Sequence, residues 1–571
     1  MYLYKTTKKT PGDLLLQAGA INGEQLKAAL VEHERNRGSL GEILIQKGFI
    51  TEEKYLGILE ERLKIPRVSL YKHHIAPDTF RLIPLALAQK YNVVPLRKEG
   101  DKLTLATADP FNIVALDDIS ILTGCSVIPV LAAQSEITEV IYHYAALKLK
   151  GSGDYPEEKD GRAFPGVNVA DNHPEKIVED VLEDAPVVQM VNYLLNHAVS
   201  RDASDIHLEP GEKGLRVRLR IDGMLSDFTT YPGDIMLLII SRLKIMAGLD
   251  IAERRRPQDG NIQLVLDKKL VNIRISTLPT IYGEKMVLRL LSPDKIIMPI
   301  ETLGFNIENQ KRYLKFLGNA YGMVLISGPT GCGKSTTLYS TLHYLNNPAK
   351  NIVTVEDPVE YRLDGINQVQ INNKIGVTFA GALRTILRQD PNIIMVGEIR
   401  DAETAEVATR AALTGHLVFS TLHTNDAPSA VTRLLDMGVE NFLLTSSLVG
   451  VVAQRLIRIN CNKCREEYLP PEEELAFYRD AGGSDIVPVF TRGRGCEDCG
   501  YSGFKGRTAI HEVMPVDAEM RRLIMVSSDT EEIRYHAVAR GMQTILQDGV
   551  HRAAEGVTTL KEVMRVACTN F

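Results

Sequence analysis

Cysteine, net positive charge and long apolar runs are all scarce in this 571-residue chain, and each shortage excludes something. Seven cysteines are too few to staple so long a chain as a disulfide scaffold. Against 66 Lys and Arg stand 72 Asp and Glu, a net charge of −6, so no global basic field recommends a nucleic-acid partner. No apolar run approaches the ~18 residues needed to cross a bilayer. The basic N-terminus, Met1 to Gly19, has no long apolar stretch with a cleavage site behind it. The expectation is a cytoplasmic protein with no span of its own. What is present, 44% hydrophobic and 24% charged residues, is globular composition. At roughly 100–200 residues per domain the length implies three or four domains.

An internal repeat opens the chain. Gly12-Asp-Leu-Leu-Leu-Gln-Ala-Gly19 matches Gly41-Glu-Ile-Leu-Ile-Gln-Lys-Gly48 at an offset of 29 residues. Each copy runs on into an amphipathic helix, with Leu26, Ala29 and Leu30 in one and Tyr55, Ile58 and Leu59 in the other at i, i+3, i+4. These read as two packed helical hairpins. Residues 70–145 then alternate short apolar strands with helical stretches, completing an N-terminal module over 1–149. Residues 150–176, rich in Gly, Pro and charge, have the composition of a flexible linker. A second module over 177–293 carries a helix at 187–199, alternating strands at 215–221 and 270–276, and a helix at 235–248, a pattern of half-exposed sheet. From 300 to 571 strand, glycine loop, helix, strand and helix follow one another as in a doubly wound α/β domain.

The chemistry is concentrated there. An apolar strand runs into Gly328-Pro329-Thr330-Gly331-Cys332-Gly333-Lys334-Ser335-Thr336, the G-x-x-x-x-G-K-[ST] pattern in its required strand–loop–helix setting. Its glycines let successive N–H groups curl round a β-phosphate, with the helix dipole behind them. Lys334 then reaches the β- and γ-phosphates and Ser335 ligates Mg²⁺. A second strand ends in Glu356-Asp357-Pro358, and carboxylates at the carboxyl end of a central strand face the ligand crevice. A third, Ile393-Ile-Met-Val-Gly-Glu398, has Walker B form, its acid contacting Mg²⁺ directly or through water. His416 and His423 bracket a strand that holds them on the order of 20 Å apart, too far to share one ion. From the chemistry alone each is either structural or nucleotide-facing.

Cys461-Asn-Lys-Cys464 and Cys496-Glu-Asp-Cys499 are two knuckles separated by 31 residues, a gap that a helix at 471–480 can fill. Four thiolates suit a closed tetrahedral Zn²⁺ site with no position for substrate, and a reducing compartment disfavours the alternative of two disulfides. Cys125, Cys332 and Cys568 have no partner by sequence.

Together the 328–335 loop, the 354–360 stretch, Leu387-Arg388-Gln-Asp-Pro391 with Gly397-Glu398-Ile-Arg-Asp401, and the 414–425 stretch with both histidines resemble the Walker A, Asp box, Walker B and His box of the type II/type IV secretion ATPase superfamily. The resemblance runs from about residue 180, through Ser204-Asp-Ile-His-Leu-Glu-Pro210, to the tetracysteine segment at 458–502 and on to 571. It implies a RecA-like P-loop core, a PAS-like second domain, and homohexamers with ATP bound between the second and third modules. It also implies Glu356 as general base or water-orienting residue, Glu398 as Walker B acid, and His416 and His423 as links from γ-phosphate to domain movement. Arg274 and Arg289 of the second module match family arginines that act at the phosphates; their other reading is solvated strand faces. Arg384 and Arg388 match family arginines at phosphate or subunit contacts.

The branch it resembles is the motors that extend type IV pili through an inner-membrane platform protein and accessory proteins, with the type II secretion ATPases as the alternative. The hairpins resemble an MshE-type module, which in some members binds cyclic di-GMP. That pattern opens each copy with Arg-Leu-Gly and closes it with Gln, whereas here Thr10-Pro-Gly12 and Ser39-Leu-Gly41 open and about His33 and Arg62 close. The recognition arginines and glutamines are missing, and partner docking is the other reading. DNA-pumping machines share this core, but the one basic cluster, Arg254-Arg-Arg256, matches a family loop beside the nucleotide interface, so nucleic acid is not expected.

Overall fold

The computed structural model describes residues 10–36, 39–73, 75–148, 185–266, 269–291, 297–484 and 486–567. The expected linker at 150–176 and Cys568 lie outside the described residues. The chain divides into two compact units, Met1–Leu291 and Ser292–Phe571.

In the first unit the repeat becomes helices Pro11–Gln17 with Gly23–Asn36 and Leu40–Gln46 with Glu52–Leu63. Threonine hydroxyls cap two of them, Thr10 accepting from the Asp13 N–H and Thr51 from that of Lys54. Leu15, Leu44, Leu56 and Leu59 form a fully buried core between the hairpins. The repeated glycines have a packing reason. A Cβ on Gly12 would come within 2.7 Å of Leu26, one on Gly41 would overlap the Tyr55 ring, and positions 26 and 55 are themselves repeat-equivalent. A small sheet follows, with β1 (Val93–Glu99) antiparallel to β2 (Lys102–Thr107) and β2 parallel to β3 (Ser126–Leu131).

The next six strands, β4 (Asp205–Gly211), β5 (Gly214–Ile221), β6 (Met224–Tyr231), β7 (Gln258–Leu266), β8 (Lys269–Thr280) and β9 (Gly283–Leu291), form one antiparallel sheet in the order β6-β5-β4-β9-β8-β7. Strict alternation buries Ile206, Leu208, Val217, Leu219, Ile273 and Leu288 against helices Ala185–Ser200 and Gly233–Met246 and leaves the other face polar. Helix Gln134–Lys148 of the N-terminal module packs on helix Ala185–Ser200, so the two modules share a core within this unit. His143 lies there, its Nδ1 2.9 Å from the Tyr231 hydroxyl and its ring centroid 4.3 Å from that of Tyr193. Such a junction leaves no local sequence signature, because its aromatic partners come from separate elements.

The second unit is built on seven strands: β10 (Gly322–Ser327), β11 (Ile352–Glu356), β12 (Asn367–Gln370), β13 (Ile393–Val396), β14 (Leu417–Leu422), β15 (Leu448–Asn460) and the last strand, β18 (Phe504–Pro515). Their order is β12-β11-β13-β14-β10-β15-β18, parallel except for the antiparallel pair β15–β18. Parallel strands covered on both faces read as continuous apolar runs. Thus Met323 and Leu325 of β10 enter one core, with Ile394 and Val418, while Val324 and Ile326 enter the other, with Met395 and Phe419. Between β15 and β18 the chain inserts the ribbon β16 (Arg465–Tyr468) and β17 (Phe490–Gly493) and helix Glu472–Asp480.

Candidate active site

The parallel strands end along one edge, and ligands in such sheets bind beyond the carboxyl ends. From that edge β10 emits the phosphate loop, β11 ends at Glu356, Glu398 follows β13 by two residues and His423 follows β14 by one. Ser327 pairs with Leu422 and Val355 with Val396, so four segments far apart in sequence arrive level.

Gly328, Gly331 and Gly333 have φ of +145°, +79° and +93°, so the loop needs glycine to turn its amides inward. Lys334 opens helix Lys334–Leu345, and its ammonium donates to the carbonyls of Gly328 (2.6 Å) and Pro329 (3.2 Å). Burial draws its pKa below the usual lysine range, partly countered by Glu398. Ser335 and Thr336 follow in the first turn, and Ser335 is exposed, so its hydroxyl is open to an ion.

Glu398 and His423 meet beside this lysine. One Glu398 oxygen takes an ion pair from Arg400 at 2.5 Å, and the other lies 3.3 Å from His423 Nε2. The imidazole's Nδ1 is 3.5 Å from Lys334 Nζ. His423 therefore bridges Lys334 and Glu398.

Glu356 is held differently. It is buried, and its carboxylate accepts from Tyr339 Oη at 2.5 Å, Thr354 Oγ1 at 2.6 Å and Gln368 Nε2 at 3.1 Å. The family resemblance implies a general base or water-orienting residue at this position; here three donors enclose the carboxylate, with Tyr339 covering it from the loop's own helix.

Other expected residues lie elsewhere. His416 precedes β14, at the opposite end from His423, with Nδ1 3.0 Å from the Ala411 carbonyl and 3.3 Å from Thr414 Oγ1. The structure does not bring it to the phosphate loop of this chain, because a strand separates the two histidines. Arg384 pairs with Glu403 at 2.7 Å, and Arg388 folds back on the Arg384 carbonyl at 3.0 Å. Arg274 and Arg289 sit in the first unit, directly opposite each other across β8 and β9, with Arg289 Nε 3.3 Å from Asp205. One register line joins Arg220, Asp205, Arg289, Arg274 and Asn261 across five strands on the polar face.

The sequence reading missed Tyr339, Gln368, Gln454 and Arg455. The last two carried a visible signal, two adjacent polar residues inside an apolar strand. Arg455 is buried, which draws its pKa below the usual arginine range.

The four knuckle cysteines converge beyond β15. Their sulfurs lie within 4.8 Å of one another, with Cys461–Cys496 and Cys464–Cys499 at 3.9 Å and Cys496–Cys499 at 3.8 Å. A tetrahedral ion with metal–sulfur bonds of about 2.3 Å separates its ligands by about 3.8 Å. The Gly495 N–H donates to Cys464 Sγ and the Cys496 N–H to Cys499 Sγ, and Asp498 pairs with Lys463 and Lys505 beside them. The cysteine geometry fits a closed metal centre.

Residues 180–565 match the family model described as type II/IV secretion system protein. The chain belongs to that family. A second model, the MshEN domain, matches residues 63–150, the α/β part of the N-terminal module. Over 559 residues the chain is 43% identical to the type IV pilus assembly ATPase PilB of Myxococcus xanthus, covering 97% of this chain and 98% of that one. It is 38% identical over 545 residues to type II secretion system protein E of Xanthomonas campestris, covering 95% of each. The Legionella pneumophila ATPase DotB, 20% identical, superposes with a TM-score of 0.50 over 66% of this chain and 94% of its own, a likeness of fold. With its secretion-family relatives this chain is an ATP hydrolase built on a P-loop. Among the described residues no helix is long and apolar enough to cross a membrane.

Proposed function

We propose that this chain is a homohexameric ATPase motor that drives type IV pilus assembly from the cytoplasmic side of the inner membrane, acting on a platform protein embedded there. The observation that carries the reading is the near full-length identity with a pilus assembly ATPase, 43% across 97% of this chain. Type II secretion is the second reading, favoured by 48% identity over 403 residues to type II secretion protein E of Pseudomonas aeruginosa, which covers 70% of this chain.

In the chemistry we propose, ATP enters with its phosphates over the loop, and the Lys334 ammonium leaves the Gly328 and Pro329 carbonyls for the β- and γ-oxygens. Ser335 and Glu398 would hold Mg²⁺, which would supply charge neutralisation at those phosphates. Cations best serve the transferring phosphoryl group when they arrive only on closure, and Arg274 and Arg289 take that part as the family resemblance implies. His423 touches both Lys334 and Glu398, so it senses whether a γ-phosphate separates them. Glu356 orients water once Tyr339 releases it; until then it holds the strand end in place.

Zn²⁺ bound by Cys461, Cys464, Cys496 and Cys499 is structural in this reading. Cyclic di-GMP is a poorer fit to the N-terminal module. Beside the second hairpin lies a cavity of about 550 Å³ lined by Glu42, Glu52 and Asp109 as well as Lys90 and Tyr55, and three carboxylates oppose an anionic dinucleotide.

The test is deletion of the gene in its host, complemented with the intact chain or Glu398→Gln, followed by imaging of surface pili and assay of secreted proteins. Pili restored only by the intact copy support the motor reading. Normal pili with lost secretion would move the chain to the type II machine.

A further inference from the structure

β15 passes behind the phosphate loop, and two of its consecutive residues reach to opposite sides of the site. Gln454 is buried; its Nε2 donates to the Cys332 carbonyl at 2.8 Å and its Oε1 accepts from Thr337 Oγ1 at 2.9 Å. One amide thus ties the loop to the first turn of the helix behind it. Arg455 is also buried. Its Nη1 donates to the Gln454 carbonyl at 3.1 Å, and its Nη2 to the Asn425 carbonyl at 2.8 Å and Asn425 Oδ1 at 3.2 Å. Asn425 stands two residues after His423, so this guanidinium grips the segment that carries the histidine. The loop rests directly on the pair, since a Cβ on Gly328 would lie 2.6 Å from the Gln454 carbonyl oxygen and 3.2 Å from Arg455 Nη1.

A buried amide and a buried guanidinium are costly unless hydrogen-bonded, which makes their partners' positions stiff. Nucleotide catalysis in turn depends on placing the lysine and the charge-stabilising groups to within a fraction of an ångström. We infer that Gln454 and Arg455 are positioning residues of the ATP site, Gln454 fixing the curvature of the phosphate loop and Arg455 setting the His423 segment relative to Lys334. The inference rests on reading 328–336 as the ATP loop. It divides the labour: Gln454 governs affinity, because the loop binds ground-state phosphates, and Arg455 governs turnover, because His423 and Glu398 act on the γ-phosphate.

The experiment uses the full chain and measures equilibrium binding of a fluorescent ATP analogue with Mg²⁺, together with steady-state kcat and KM. Gln454→Leu is expected to weaken binding tenfold or more with kcat within threefold of the parent. Thr337→Val, which leaves β15 untouched and carries the test if Gln454→Leu does not fold, is expected to weaken it about threefold. Arg455→Met is expected to lower kcat tenfold or more with Kd within threefold, and Arg455→Lys to recover part of that loss. Parental binding in Thr337→Val, parental kcat in Arg455→Met, or affinity and kcat falling together in both sets of variants would overturn the inference. Lys334→Ala serves as the control. If that variant bound the analogue normally, the ATP-loop reading would fall rather than the roles of Gln454 and Arg455.

Discussion

His423 Nε2 lies 3.3 Å from the carboxylate of Glu398, and the ring's other nitrogen lies 3.5 Å from the Lys334 ammonium. A single imidazole thus spans the acid and the cation that we propose flank the γ-phosphate. Removing a charge that acts mainly in the transition state lowers kcat more than affinity. Glu398→Gln is therefore expected to reduce ATP turnover by about 100-fold or more while leaving the dissociation constant for ATP within a few-fold. His423→Ala is expected to lose about tenfold in kcat. His416→Ala should leave ATP binding unchanged, because that ring bonds to Ala411 and Thr414 at the far end of β14. Binding isotherms and turnover measured side by side on these three variants and on Lys334→Ala check this; a Kd raised as much by His416→Ala as by Lys334→Ala would contradict the placement.

A second prediction concerns pH. Burial pushes the Glu512 carboxyl up to about 7, although it accepts backbone N–H bonds from Ala427 and Ile545 at the starts of two helices. A carboxyl whose folded pKa lies above its unfolded value near 4.5 binds protons more tightly in the folded state. Its contribution is fully present below about 4.5 and is lost as the pH rises through about 7. Glu512→Gln should therefore gain stability relative to the parent between pH 5 and pH 8, on the order of 1–3 kcal/mol. Thermal or denaturant unfolding of parent and variant across that range checks the sign. A difference between the two that stays constant with pH would refute it.

Much of this architecture was legible in the sequence because parallel strands buried on both faces must be apolar throughout. Met323 to Ser327, Ile393 to Val396 and Leu417 to Leu422 announce themselves, and a glycine loop after the first fixes what the sheet is for. The repeat at Gly12 and Gly41 was equally plain, since two copies of a helix contact demand the same small residue. What stayed hidden depends on contacts between distant segments. Gln454 reaches Cys332 across 122 residues, and no periodicity within β15 says which loop will lie against it. Tyr339 reads as an ordinary apolar-face helix residue until its hydroxyl is seen on Glu356. The joining of the two N-terminal modules through His143, Tyr193 and Tyr231 is of the same kind, a cluster assembled from separate elements.

The tetracysteine centre supports a third prediction. β15 runs from the P-loop's support at Gln454 to Asn460, and Cys461 follows at once. The purified chain is expected to carry one zinc per polypeptide, released on thiol modification and read with a chromogenic chelator. Cys464→Ser should lose the metal. Structural zinc contributes folding free energy locally, so the variant should lose hydrogen-exchange protection across 458–502 while the sheet cores keep theirs. Full occupancy with iron, or metal loss that leaves protection of the segment unchanged, would count against a structural zinc site.

The repeat supports a fourth, in which the two equivalent glycines differ in cost. A methyl on Gly12 meets the end of the Leu26 side chain, with Cδ1 at 2.7 Å, and a leucine can rotate away. A methyl on Gly41 meets the Tyr55 ring, with Cε1 at 2.9 Å and the Cζ and hydroxyl nearer still. That ring is almost wholly buried and cannot turn aside without moving its helix. Overpacking a tight core costs typically about 1–3 kcal/mol, whereas glycine to alanine within a helix gains up to about 1 kcal/mol where there is room. Both glycines are helical, so Gly12→Ala should be near neutral and Gly41→Ala destabilising by about 1–3 kcal/mol. Replacing the ring as well, in Gly41→Ala with Tyr55→Leu, should recover part of the loss because the second hairpin then acquires the contact of the first. Chemical denaturation of the three variants decides it, and equal costs at positions 12 and 41 would show that the stiffness of the opposing side chain is not what sets them apart.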